Sequence, residues 1–293
     1  MTNQILLIIT EGLIFALFAY GVYLSFQWLR FPDLTPDGSF VIGGIAYVKM
    51  VAFGMPPLLA VAASFFAGAL CGVITGSLNR FIKIPPVISG LMMSIALYSV
   101  GWKILGKPNQ FLENSQTLVG TVTGEQYNAM LLIYLAVIVG VIIFLLHFFS
   151  ETIWGLRVRA IAENPVIAKG LTKNESGYYL FLLAISNGIV AISGSLFLQR
   201  SFSADINMGV GQTIVGLIGM MIGLMLAASN RKTYLILLLV ALGSILYKAA
   251  MFATLEFGLP AELFKLISAL ILVVLFFAMR TSNMNILKGL RWN

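Results

Sequence analysis

Residues 127–149 read YNAMLLIYLAVIVGVIIFLLHFF. The run holds no Asp, Glu, Lys or Arg and is longer than the ~20 residues a helix needs to cross a bilayer. Its apolar positions are continuous, whereas strands of a membrane barrel alternate apolar and polar positions over ~10 residues, so the run reads as a spanning helix. Eight more apolar segments flank it: Ile5–Leu29, Ser39–Phe53, Pro57–Leu78, Val87–Leu105, Tyr178–Gln199, Met208–Ala228, Tyr234–Ala253 and Ala261–Met279. The expected fold is an all-α integral membrane protein with about nine transmembrane helices in a single domain, residues 1–293. Ser39–Phe53 is short for a full span, and a break or re-entrant stretch is expected there.

Composition agrees. Of 293 residues, 59% are hydrophobic and 10% charged, against roughly 25% charged in soluble domains. A soluble fold of this size has no interior for so much apolar surface, so the solvent is lipid. The net charge of +7 does not point to nucleic acid, because the basic residues lie in short connections. With the N-terminus outside and the C-terminus inside, twelve of them fall in inside loops and the tail, among them Arg30, Arg80, Lys83, Arg157, Arg159, Arg231 and Arg280. Three fall outside: Lys103, Lys107 and Arg200. That is the positive-inside pattern. The single cysteine, Cys71, and the single histidine, His147, make neither a disulfide nor a metal site.

Glu11, Lys49, Lys248 and Lys265 lie in or near spans. Intramembrane charges are functional candidates; near span ends, Lys248 and Lys265 are expected to snorkel to water, and Glu11 to reach it too. A faint internal repeat is present. Gly38–Ile45 (GSFVIGGI) resembles Gly211–Ile218 (GQTIVGLI), and each follows a span, an arginine (Arg30, Arg200) and an aspartate (Asp33, Asp205). One copy starts inside and the other outside, as an inverted repeat requires, pairing spans one to four with six to nine around the fifth. Glycines permit close packing or a broken helix, whose free N–H groups attract anions. Ordinary tight packing with two capped loops is the alternative. Candidate pathway residues are Asp37, Gly38, Ser39, Gly43, Ser94, Tyr98, Asn187, Gln212 and Thr213.

The polar insertion at 151–175 carries the most information. Within it, residues 155–171 read GLRVRAIAENPVIAKGL. Asn164 suits an N-cap, Pro165 the first helical position and Gly170 a C-terminal stop, so a short helix is expected between them. Val166, Ile167 and Leu171 would give it apolar surface to bury against a cytoplasmic partner or the bilayer surface.

This loop, with its pattern G-x-x-x-R-A-x-x-E-N-P-x-x-A, resembles the cytoplasmic coupling loop of ABC importer permeases. It is most similar to the family of branched-chain amino acid and ribose permeases. Residues 31–40, FPDLTPDGSF, resemble a motif of a subgroup often paired with binding proteins for aromatic amino acids. The resemblance implies a type II importer-like permease, working as a homodimer in the bacterial cytoplasmic (inner) membrane. It implies as partners a cytoplasmic ABC ATPase dimer and an extracellular or periplasmic solute-binding protein. Arg157, Arg159, Glu163, Asn164, Pro165, Ala168, Lys169 and Gly170 would then couple to the ATPase. ATP and Mg would be bound by that partner, with no cofactor in this chain, which would be a transport subunit and not an enzyme by itself. No G-x-x-x-x-G-K-[ST] phosphate loop occurs in the sequence.

An ion-coupled secondary transporter is the alternative, but of the carboxylates only Glu11 lies well within an apolar run. A channel filter or a catalytic constellation is not visible either. The orientation is testable: Arg157→Cys should be labelled by an impermeant thiol reagent from the cytoplasm and Asn114→Cys from outside. The reverse pattern would overturn the topology.

Overall fold

The computed structural model describes residues 2–113, 116–120, 122, 124–163, 175–227 and 232–281. Helix α1 (Thr2–Tyr23) runs into a π-helical turn at Leu24–Trp28. There follow α2 (Pro36–Ala52), α3 (Pro57–Arg80), α4 (Pro86–Leu105), strand β1 (Asn109–Phe111), α5 (Gly124–Glu151) and α6 (Ile153–Glu163). The remainder comprises α7 (Glu175–Ser201), β2 (Ser203–Asp205), α8 (Gln212–Ala227), α9 (Thr233–Glu256), a 3-10 turn at Ala261–Leu263 and α10 (Phe264–Thr281). β1 and β2 pair antiparallel, with Gln110 opposite Ala204. Helices α2, α3 and α4 each have Pro at the first helical position, where its missing N–H costs nothing.

Six helical stretches among the described residues are long and apolar enough to span a membrane: Gln4–Trp28, Pro57–Arg80, Pro86–Leu105, Gln126–Glu151, Glu175–Ser201 and Thr233–Glu256. Helices α2 and α8 have 17 and 16 residues. At 1.5 Å per residue they reach about 26 and 24 Å, short of a ~30 Å hydrocarbon core. The expected nine spans are thus six long helices with shorter companions. Hydropathy misjudges their starts for a local reason. Met208–Val210 count as part of an apolar run, but Gly211 at φ 84 interrupts the backbone, so α8 opens at Gln212. Conversely α2 opens earlier than the apolar run, at Pro36, inside the polar Pro-Asp-Gly-Ser stretch.

Helix α1 lies at the centre, packed on α7, α8 and α9. Ile14, Leu17, Phe18 and Tyr20 are wholly buried on it. Hydroxyls lock it to its neighbours: Tyr20 donates to the Leu237 carbonyl at 3.0 Å, Ser186 to Gly21 at 2.7 Å and Ser193 to Ile14 at 2.6 Å. Helices α2 and α3 lie on α7 through small residues that let backbones touch. Gly43 rests on the Ala191 backbone, and Gly68 and Gly72 on the Asn187 and Leu183 carbonyls. The outward faces of α3, α4, α5 and α10 expose large apolar side chains such as Phe66, Leu91, Phe144 and Val273.

A bend at Thr152 separates α5 from α6. Thr152 accepts a hydrogen bond from the Gly155 N–H at 3.2 Å, an N-cap. The polar insertion therefore begins as an eleven-residue helix, which was not expected. The short helix expected between Asn164 and Gly170 lies outside the described residues.

Gly43→Leu should destabilise the purified protein by about 1–3 kcal/mol or more through overpacking. Gly140→Leu, on α5 where an added Cβ meets nothing within 4 Å, should leave it unchanged. Thermal melting in detergent compares them; equal melting temperatures would remove the close-packing role of Gly43.

Candidate functional site

The two short helices begin beside each other, and Asp37 joins them. From the first turn of α2, its Oδ2 accepts the Gly211 N–H at 3.0 Å. Its Oδ1 accepts both the Thr213 N–H and the Thr213 hydroxyl, each at 2.7 Å. A carboxylate of one helix thus caps the N-terminus of another, where both the orphan N–H groups and the dipole favour negative charge. Gly209 sits against the Asp37 carbonyl, leaving no room for a side chain.

A second carboxylate lies behind the first. Asp33, wholly buried, takes the Thr35 N–H on Oδ1 at 2.8 Å and the Asn187 amide on Oδ2 at 2.8 Å. Ser39 donates to the Asn187 Oδ1 at 2.7 Å, and the Thr35 and Thr75 hydroxyls meet at 2.8 Å. Asn187 lies midway along α7, a helix long enough to span, so the Asp33–Ser39 loop reaches the middle of the bundle. Non-helical backbone at such depth persists only when its polar groups are satisfied by protein, and this network does that.

Two cavities flank the meeting point. The first, about 340 Å³, is lined by Asp37, Gly38, Val41, Ser94 and Tyr98, with Val210 on its border. The second, about 450 Å³, also borders Val210 and lies among α8, α9, α10 and Glu11 of α1. Of the residues expected in a pathway, Asp37, Gly38, Ser94 and Tyr98 line the first cavity and Gln212 the second. Ser39, Asn187 and Thr213 are buried behind the surface, and Gly43 serves helix packing. Asp33 and Thr75 were not singled out as site residues. An aspartate within membrane-buried sequence is the signal that marks the first.

Lys248 departs from the snorkelling expectation. It pairs with Glu11 at 3.2 Å and lies 3.9 Å from the Phe15 ring centroid. The paired charges join α1 to α9, as intramembrane charges of opposite sign do. In the polar insertion, Arg157 donates to the Tyr178 hydroxyl at 3.0 Å. Arg159 donates to the Ser150 carbonyl and lies 5.3 Å from the Trp28 ring centroid. Both arginines therefore fasten α6 to the bundle. Glu163 ends α6; Asn164, Pro165, Ala168, Lys169 and Gly170 lie outside the described residues.

Comparison with known proteins identifies this architecture. The family model described as "Branched-chain amino acid transport system / permease component" matches residues 4–276. The chain belongs to that family. This permease is 29% identical over 285 residues to the tyrosine transport system permease protein of Clostridioides difficile, covering 97% of this chain and 93% of that one. It is 26% identical over 229 residues to an inner membrane ABC transporter permease protein of Escherichia coli, covering 75% and 64% of the two chains. Among solved structures, PsaBC from Streptococcus pneumoniae in complex with Fab aligns over 96% of this chain and 95% of that one, with TM-score 0.54 and 14% identity. That likeness concerns the fold. The permease is therefore a multi-pass membrane component of an ABC importer.

Asp37→Ala would leave two N–H groups at the start of α8 without their acceptor, each costing about 1–3 kcal/mol if it stays dry. The variant should melt well below the wild type in detergent. Thr213→Val, which loses only the hydroxyl bond, should cost about 1 kcal/mol. An Asp37→Ala protein as stable as the wild type would contradict the capping role.

Proposed function

We propose that two copies of this permease form the translocation pathway of an importer for an amino acid, favouring apolar or aromatic side chains. The carrying observation is that α2 and α8 start together at Asp37 with a cavity on either side, deep in a family-assigned permease. The first cavity opens at the protomer's edge beside Ser94 and Tyr98 of α4. A polar cleft facing lipid is unfavourable, which supports a second copy of the chain closing it. The tyrosine permease of C. difficile, similar over nearly its whole length, supports the substrate class.

The inverted repeat is part of the same proposal, with four helices before α5 and α6 matched to four after them. Packing supports it: α2 and α3 lie on α7 as α8 and α9 lie on α1. Local geometry supports it too. Asp33 accepts the N–H of Thr35 at 2.8 Å, and Asp205 that of Asn207 at 2.6 Å. Each aspartate follows by three residues a left-handed non-glycine residue, Arg30 at φ 51 and Phe202 at φ 54. On this reading the nine apolar helices cross or enter the bacterial inner membrane, with the N-terminus outside and the C-terminus inside.

Residues 151–175 form the coupling loop within one permease domain spanning 1–293. A cytoplasmic ABC ATPase dimer receives it, binding ATP and Mg, and a solute-binding protein delivers the amino acid from outside. The permease itself hydrolyses nothing. The anchoring of α6 by Arg157 and Arg159 supports a lever role, since a loop that transmits movement must be rigidly joined to what it moves. Glu163, Asn164, Pro165, Ala168, Lys169 and Gly170 make the contact with the ATPase.

Replacing Glu163, Asn164 and Pro165 together with Gly should reduce co-purification of the ATPase encoded beside this gene, with membrane insertion intact. Undiminished recovery of the ATPase would count against the coupling assignment.

A further inference from the structure

The second cavity has a charge pattern that the pathway alone does not explain. Three ionisable side chains line it: Glu11, Lys248 and Lys265. Lys248 is held by Glu11 at 3.2 Å, so these two charges cancel. Among the described residues Lys265 has no ion-pair partner, Glu262 three positions earlier included. The cavity therefore carries one uncompensated positive charge at its wall.

Its other polar groups are already engaged. The Tyr247 hydroxyl and Ser268 Oγ meet at 2.6 Å. The first N–H groups of α8 are used as well: those of Gly211 and Thr213 by Asp37, and that of Gln212 by the Gly209 carbonyl. The helix N-terminus thus has no free donor to offer an anion there. The rest of the wall is apolar and aromatic, including Phe252 and Phe264. A volume of about 450 Å³ falls within the range of small-molecule sites, ~300–1,000 Å³.

We infer that this cavity is a transit station for the solute's carboxylate, with Lys265 as its anchor and the aromatic wall receiving the side chain. The inference rests on the amino acid importer reading above and names a group within it. A single ammonium in a partly apolar wall favours a monoanion; a neutral sugar would leave that charge unanswered. Val210 borders both cavities, so a solute leaving the station passes directly to the side where Asp37 lies. Asp37 accepts three hydrogen bonds, and an ionised carboxylate has about four acceptor sites. One acceptor site therefore remains for the ammonium end of a zwitterion.

The test uses the complete importer, permease with its ATPase and binding protein, in vesicles of phosphatidylcholine with or without phosphatidylglycerol. Uptake of L-tyrosine, L-phenylalanine and L-leucine is measured alongside ATP hydrolysis stimulated by the binding protein. Lys265→Gln should lower uptake about tenfold, with stimulated ATP hydrolysis retained, so that more ATP is spent per solute carried. Lys265→Arg should restore at least half of the uptake, which a purely structural role would not predict. Wild-type uptake by Lys265→Gln, or a deficit that Arg does not relieve, overturns the carboxylate station while leaving the importer intact. A deficit confined to vesicles containing phosphatidylglycerol assigns the charge to an anionic lipid headgroup and overturns it likewise. A wild-type importer that carries none of the three amino acids overturns the substrate reading and this inference together.

Discussion

A backbone that stops being helical inside a bilayer must have its N–H groups answered by protein, because lipid cannot answer them. In this permease that demand falls on two carboxylates. Asp37 caps the start of α8, and Asp33 holds the loop before α2 through Thr35 and Asn187. Removing either would leave donors unpaired where water does not reach. The short helices, the cavities on either side of Val210 and the close approach of Gly209 to Asp37 all follow from that arrangement.

The same arrangement explains why the bundle is built with so many small residues on facing helices. Depth for the two helix starts requires α2 to sit tightly on α7, and the Gly43 and Gly194 contacts with the Ala191 and Phe40 backbones provide it. Serine hydroxyls on α7 then bond to α1 carbonyls, so the two central helices are fixed by polar contacts as well as by packing. In lipid, where apolar burial between helices brings little, such contacts and close packing hold helices together.

Much of this was legible in the sequence, for physical reasons. Long apolar runs such as residues 127–149 have one stable form in lipid, so the helical class followed directly. The Asp-Gly-Ser and Gly-Gln-Thr stretches stood out because glycine and polar residues are costly inside a span unless used. The partners of those residues were not legible. That Asp37 would reach Gly211 and Thr213, 174 and 176 positions away, depends on tertiary packing that local pattern does not encode. Lys248 and Glu11 were read as separate span-end charges, since periodicity says nothing about which helices are neighbours. Helix α6 was missed because its start rests on a single capping threonine, Thr152, inside a stretch read as polar connection.

The account holds that a solute crosses at the junction of α2 and α8, and that ATP turnover switches the side from which this junction is reached. Thiol labelling of Val210→Cys, in a Cys71→Ala background in sealed vesicles, tests it most directly. The assembled importer should be labelled from one side at rest and from the other when trapped with ATP and vanadate. A position 210 that reacts from neither side in either state would contradict the placement of the pathway.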